Sequence, residues 1–219
     1  EGEKNMGELF LGSAVALATP MHKDGSIDFE AYKVLVNRMI ENGVQALLVN
    51  GTTAETSTLT VEEEHELLKI AVEINQKRVP IIAGTGSNDT DHALRESKIV
   101  KELGADACLI VTPYYNKTSQ RGLIQHFNYL ADHIGLPIIL YNIPGRTGLK
   151  INLDTAVELA KHPNIIAMKD ATGDMAYTMD LLAATKDMDF DVYSGEDGLI
   201  LPFIAAGGKG VISVLSNIY

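Results

Sequence analysis

The chain has 219 residues, 46% of them apolar and 21% charged, the composition of an ordinary globular domain long enough for one barrel-sized core. A formal net charge of -11 with no cluster of Lys and Arg argues against a phosphate-backbone partner, so no nucleic-acid role is expected. No run of 18 or more apolar residues could span a bilayer, so no membrane role is expected, and a single cysteine excludes an intrachain disulfide framework.

Residues 1–8 read as an N-terminal extension without signal-peptide character, and 9–219 as one domain, with the cytoplasm as the expected compartment. Apolar or β-branched runs then recur at 13–17, 46–49, 80–83, 107–111, 137–141, 165–168, 190–193 and 210–214. Most lack polar alternation, as strands buried on both faces of a parallel sheet do. Cys108 lies inside the fourth run and is expected to be an inert core thiol. Helical periodicity fills the intervals. Residues 61–75 set Val61, Leu67, Leu68, Ile70, Ala71 and Ile74 among charges, with Thr60 as N-cap and Glu63 completing a capping box. Residues 88–103 and 153–160 follow the same rhythm, with Asp89 or Thr90 and Asn152 as candidate caps. Gly43, Gly104, Gly135 and Pro163 mark helix exits. Strand-then-helix repetition predicts an α/β fold, a (β/α)8 TIM barrel, with a doubly wound open sheet as the alternative. The chain ends directly after the eighth run, so the barrel is expected to be truncated there, lacking its last helix.

In such a barrel the reacting groups sit where strands end. After the second run, Asn50-Gly51-Thr52-Thr53-Ala54-Glu55-Thr56 offers N–H and O–H donors suited to a carboxylate, or a merely capped loop. After the fourth comes Thr112-Pro113-Tyr114-Tyr115-Asn116, whose tyrosines either relay protons or pack. After the fifth, Tyr141 is followed by Asn142-Ile143-Pro144-Gly145-Arg146-Thr147-Gly148, in which Arg146 is either a carboxylate ligand or a surface residue. The sixth run ends in Lys169-Asp170. A lysine closing an apolar strand must be paired, reach water or lose its proton. Lys169 is therefore either a carbonyl nucleophile or the partner of Asp170 at the rim. Gly84-Thr85-Gly86-Ser87-Asn88 lacks the third glycine of a dinucleotide fingerprint. Gly207-Gly208-Lys209-Gly210 precedes the eighth strand and so falls on the opposite face. None of the six histidines has zinc-ligand spacing, so no metal is expected, and His126 and His133 read as surface positions.

Gly51-Thr52-Thr53-Ala54-Glu55, Tyr114-Tyr115-Asn116-Lys117, Tyr141 through Gly148 and Lys169-Asp170-Ala171-Thr172-Gly173-Asp174 occur in that order. Together they resemble the dihydrodipicolinate synthase family of the N-acetylneuraminate lyase superfamily, over essentially the whole of 9–219. The resemblance implies a (β/α)8 aldolase condensing pyruvate with L-aspartate 4-semialdehyde through a covalent imine on Lys169, with no other cofactor. A sugar-acid aldolase of the same superfamily and an inactive barrel fragment are the alternatives. Carried over by resemblance, Tyr141 is the acid/base and Thr52 links it to Tyr115, which reaches a neighbouring subunit's site in a homodimer or homotetramer. Thr52 and Thr53 hold the pyruvate carboxylate, Arg146 the carboxylate of the aldehyde, and Gly195 and Ile212 line the pyruvate pocket. Three departures stand out. Ala54 replaces the family's usual glycine. The family's C-terminal helices are missing. The positions used by lysine-inhibited members correspond to Val61, Glu64 and His92, which implies weak or no inhibition by lysine.

Overall fold

The computed structural model describes residues 9–219; the expected extension at 1–8 lies outside the described residues. Eight parallel strands form a closed barrel in chain order. They are β1 (Gly12–Ala16), β2 (Ala46–Val49), β3 (Ile81–Gly84), β4 (Ala107–Val111), β5 (Ile138–Asn142), β6 (Ile165–Asp170), β7 (Asp191–Ser194) and β8 (Gly210–Ser213). β8 pairs with β1 from Gly12–Gly210 to Val15–Ser213, which closes the ring and removes the open-sheet alternative. The helices are α1 (Phe29–Glu41), α2 (Val61–Asn75), α3 (Thr90–Leu103), α4 (Gln120–Ile134), α5 (Pro144–Thr147), α6 (Leu153–Leu159), α7 (Met175–Thr185) and α8 (Ile200–Ala205).

Period-two alternation along each strand divides the core in two. Ala14, Ala46, Leu48, Ile82, Leu109, Ile139 and Ile212 fill the barrel interior. Val15, Leu47, Val49, Ile81, Ile110 and Leu140 face outward and pack under the helices. Between Ile138 and Ile139 the pairing of β5 with β6 shifts by one residue. Ile139 thus lies beside Ala167 and Tyr141 beside Lys169. β6 also runs two residues past the apolar run read from the sequence, so Lys169 lies within the sheet rather than after it.

Thr60 accepts a hydrogen bond from the Glu63 N–H and Glu63 returns one from the Thr60 N–H, the expected capping box of α2. Asp89, not Thr90, caps α3. Asn152 occupies the N-cap position of α6 but its side chain makes no capping hydrogen bond. Ala54 lies outside the left-handed region, so its methyl is accommodated; the next residue, Glu55, is the one at φ +60°. After β8 the chain makes a 3-10 turn at Leu215–Asn217. There Asn217 accepts from the Ala18 N–H and donates to the Ala16 carbonyl, fastening this segment to the end of β1.

Candidate active site

Lys169 projects into the barrel at its C-terminal end, 5% exposed. Its Nζ stands 4.5 Å from the centre of the Tyr141 ring. Burial pushes the ammonium down to about 8; the Asp197 carboxylate works against that shift and the Arg146 guanidinium adds to it. Asp170 is not its partner. Asp170 points to the helix layer, where Oδ2 accepts from the Thr178 hydroxyl at 2.6 Å and Oδ1 from the Thr172 N–H at 3.0 Å. The alternative of a rim ion pair is therefore excluded by the pleat itself, since adjacent strand residues face opposite ways.

Tyr141, buried beside Lys169, has its phenol held above the ordinary value by burial, with the Thr52 hydrogen bond and Arg146 pulling the other way. Thr52 stands in the 3-10 turn Thr52–Ala54, where the first N–H groups lack partners within the turn. Thr53 follows it, half-buried. Arg146 is exposed on α5, close enough to both Lys169 and Tyr141 for its charge to act on each. Gly195 follows β7. A Cβ there would stand 3.0 Å from Lys169 Cε and 2.8 Å from Ala171 Cβ, so only glycine leaves the lysine its room. Ile212 is fully buried on the inner face of β8. Tyr115 behaves differently. It sits at φ +66° and is 90% exposed, with no hydrogen bond to Thr52 among the described residues.

A cavity of about 970 Å³ adjoins this cluster, with Thr52, Tyr141, Arg146, Glu64, His92 and Tyr114 in its lining. Burial and the neighbouring Glu96 push Glu64 up to about 7, against the opposing effect of His65. His65 Nε2 lies 2.9 Å from Glu96 Oε2. The Gly207–Gly210 stretch does lie at the opposite end, where Lys209 Nζ stands 4.0 Å from Asp191. His126 corrects the surface reading. It lies on α4, 6% exposed, with Nδ1 2.8 Å from the hydroxyl of Thr90 on α3. Among the described residues no group of three or more His, Cys, Asp or Glu could hold a metal ion, and no helix is long and apolar enough to cross a membrane.

Two groups at the rim are not singled out by the sequence, Asp197 and Glu196, whose charges act on Lys169 and Tyr141 respectively. Their signal was position alone, directly after β7.

The chain matches the family model of the dihydrodipicolinate synthetase family over residues 9–219. It belongs to this family. It is 50% identical over 211 residues to the 4-hydroxy-tetrahydrodipicolinate synthase of Exiguobacterium sibiricum, covering 96% of this chain and 72% of that protein. The crystal structure of the chloride-inhibited dihydrodipicolinate synthase from Acinetobacter baumannii, complexed with pyruvate, superposes with TM-score 0.93 and 48% identity, covering 95% of this chain and 71% of that one. A structure described as the first monomeric dihydrodipicolinate synthase variant matches with TM-score 0.93 and 41% identity, over 96% of this chain and 71% of that chain. The chain thus spans about seven tenths of the length of these dihydrodipicolinate synthase relatives.

Proposed function

We propose that this chain condenses pyruvate with L-aspartate 4-semialdehyde to give 4-hydroxy-tetrahydrodipicolinate, a step of lysine and diaminopimelate synthesis, through an imine on Lys169. The observation that carries the reading is a lysine buried in an apolar barrel and held near pKa 8 against a tyrosine ring. Its neutral amine attacks C2 of pyruvate, a C–N bond forms, the carbonyl oxygen leaves as water, and the nitrogen becomes an iminium. A methyl proton then departs, the electron pair flows into the iminium, and the resulting enamine carbon attacks the aldehyde. Cyclisation releases the product and frees Lys169.

In this scheme Tyr141 moves the protons, since burial keeps its phenol protonated and Thr52 orients it. Thr52 and Thr53 take the pyruvate carboxylate, and Arg146, exposed at the mouth, takes the carboxylate of the aldehyde. Gly195 and Ile212 shape the pyruvate pocket. No cofactor beyond the covalent imine is invoked. Tyr115, turned outward, serves the site of a neighbouring copy in a homodimer or homotetramer; that one relative is distinguished as monomeric supports oligomers as the family's ordinary state. The cytoplasm is the compartment this reading assigns, in keeping with a lone buried thiol.

Reductive trapping tests the reading. Incubation with pyruvate followed by borohydride should add a single pyruvate-derived mass on Lys169. The same treatment of Lys169→Arg should add nothing, because arginine stays protonated. A folded wild-type chain that acquires no adduct would sink the proposal.

A further inference from the structure

A guanidinium that receives a substrate carboxylate works best when it is aimed before the substrate arrives. Arg146 is not aimed by its own contacts: among the described residues no hydrogen bond or ion pair holds its guanidinium. Its direction is therefore set by the backbone that carries it. That backbone is the single turn α5. The Arg146 and Thr147 N–H groups donate to the Ile143 carbonyl at 3.0 and 3.1 Å, and the Gly148 N–H donates to the Pro144 carbonyl at 2.9 Å. One isolated turn is not stable in water, so the loop from Ile143 to Asn152 has to be held from outside.

Two side-chain amides hold it, one on each edge of the returning segment 150–152. Asn142, fully buried at the end of β5, grips Ile151: its Oδ1 accepts from the Ile151 N–H at 3.0 Å and its Nδ2 donates to the Ile151 carbonyl at 3.3 Å. Gln120, at the start of α4, grips the residues on either side. Its Nε2 donates to the Lys150 carbonyl at 2.8 Å and its Oε1 accepts from the Asn152 N–H at 3.0 Å. This is the pattern of a strand between two neighbours, in which one residue's N–H and C=O point to one side and the flanking groups to the other. Each amide supplies the donor and the acceptor that a neighbouring strand would. Two hydroxyls add to the grip. Tyr177 of α7 donates to the Ile151 carbonyl at 2.8 Å, and Thr112, just after β4, to the Leu149 carbonyl at 3.3 Å.

We propose that Asn142 and Gln120 are positioning residues for Arg146: they clasp the loop that bears it, so that its guanidinium meets the carboxylate of the aldehyde already in place. The inference rests on the reading of Arg146 as that carboxylate's ligand, whereas the clasp rests on hydrogen bonds alone. Neither amide touches substrate in this role. A loop fixed in advance surrenders no ordering entropy on binding, and a misplacement of about 1 Å can cost on the order of 10²-fold in rate. Pyruvate, joined to Lys169 and held by Thr52 and Thr53, does not depend on the clasp.

A double-mutant cycle tests this. Asn142→Ala should raise KM for the aldehyde roughly ten-fold and Gln120→Ala by less, while the pyruvate concentration for half-maximal borohydride trapping stays at the wild-type value. In an Arg146→Ala background, where the guanidinium is already gone, neither substitution should raise that KM further. Tryptic cleavage after Arg146, followed by peptide mass without substrate, should be faster in both amide variants than in wild type. Gln120 is only half-buried, so its variant carries the test should Asn142→Ala fail to fold. Folded variants with a wild-type KM, or with losses that multiply in the Arg146→Ala background, would overturn the proposal. So would pyruvate trapping that weakens in step with the aldehyde KM, since the amides would then support the barrel at large. An Arg146→Ala protein with a wild-type aldehyde KM, alongside faster cleavage in the amide variants, would refute the reading of Arg146 as the ligand and leave the clasp in place.

Discussion

Burial pushes Lys169 down and Tyr141 up, which widens towards neutral pH the range in which both groups are uncharged. With a pKa of about 8, roughly a tenth of Lys169 is a free amine at pH 7, against well under a thousandth for an ordinary lysine. Tyr141→Phe keeps the ring beneath Nζ and removes the proton carrier. Its kcat should fall by about 10²- to 10⁴-fold while borohydride still traps pyruvate on Lys169, and undiminished turnover would remove Tyr141 from the mechanism. The lysine was legible because a charge closing an apolar strand needs an explanation. Asp197 was not, because its influence acts across two loops that only the closed barrel brings together.

The strands were legible throughout, since eight buried apolar runs have no other ready explanation in a chain this long. Helix α7 was not, because Met175–Thr185 has no clear polar face, and α8 was not, because Pro202 interrupts an almost wholly apolar stretch. The burial of His126 was also hidden, since only the packing of α4 on α3 encloses it. That burial lowers its imidazole to about 4, with Nε2 unpartnered. The unfolded chain, with an ordinary value of 6.5, therefore binds more protons between pH 4 and 6.5. Stability owed to neutral His126 is complete above pH 6.5 and drains away as pH falls through 4. Glu64 opposes it: raised to about 7, it favours the fold at low pH and loses that contribution as pH rises through 7. The two effects flatten the wild-type curve. In His126→Gln the Glu64 term should stand exposed, so urea midpoints should rise from pH 7 to pH 5 relative to wild type. Parallel profiles for the two proteins would show that His126 does not titrate with unfolding.

On the scale of the whole molecule, the outward Tyr115 and the exposed apolar groups beside β8, among them Leu201 and Ile218, are surfaces that a lone barrel leaves unused. If Tyr115 acts across subunits, Tyr115→Phe and Tyr141→Phe should each be nearly inactive alone. Mixed after dissociation and reassembly, they should recover about a quarter of wild-type activity, because half the random dimers then hold one intact site. No recovery in a mixture proven to contain hybrids would place Tyr115 outside the neighbour's chemistry. The barrel's chemistry also depends on parity. With β6 in unbroken register with β5, Met168 would stand beside Tyr141, and Lys169 would turn out among the helices beside Asn142. One extra residue in β6, Ile166, slipped in opposite the step from Ile138 to Ile139, exchanges a thioether for an amine at the centre of the fold. Length in this strand thus acts as an on–off element for function: an even change in the count before Ala167 preserves the nucleophile's direction, and an odd one reverses it.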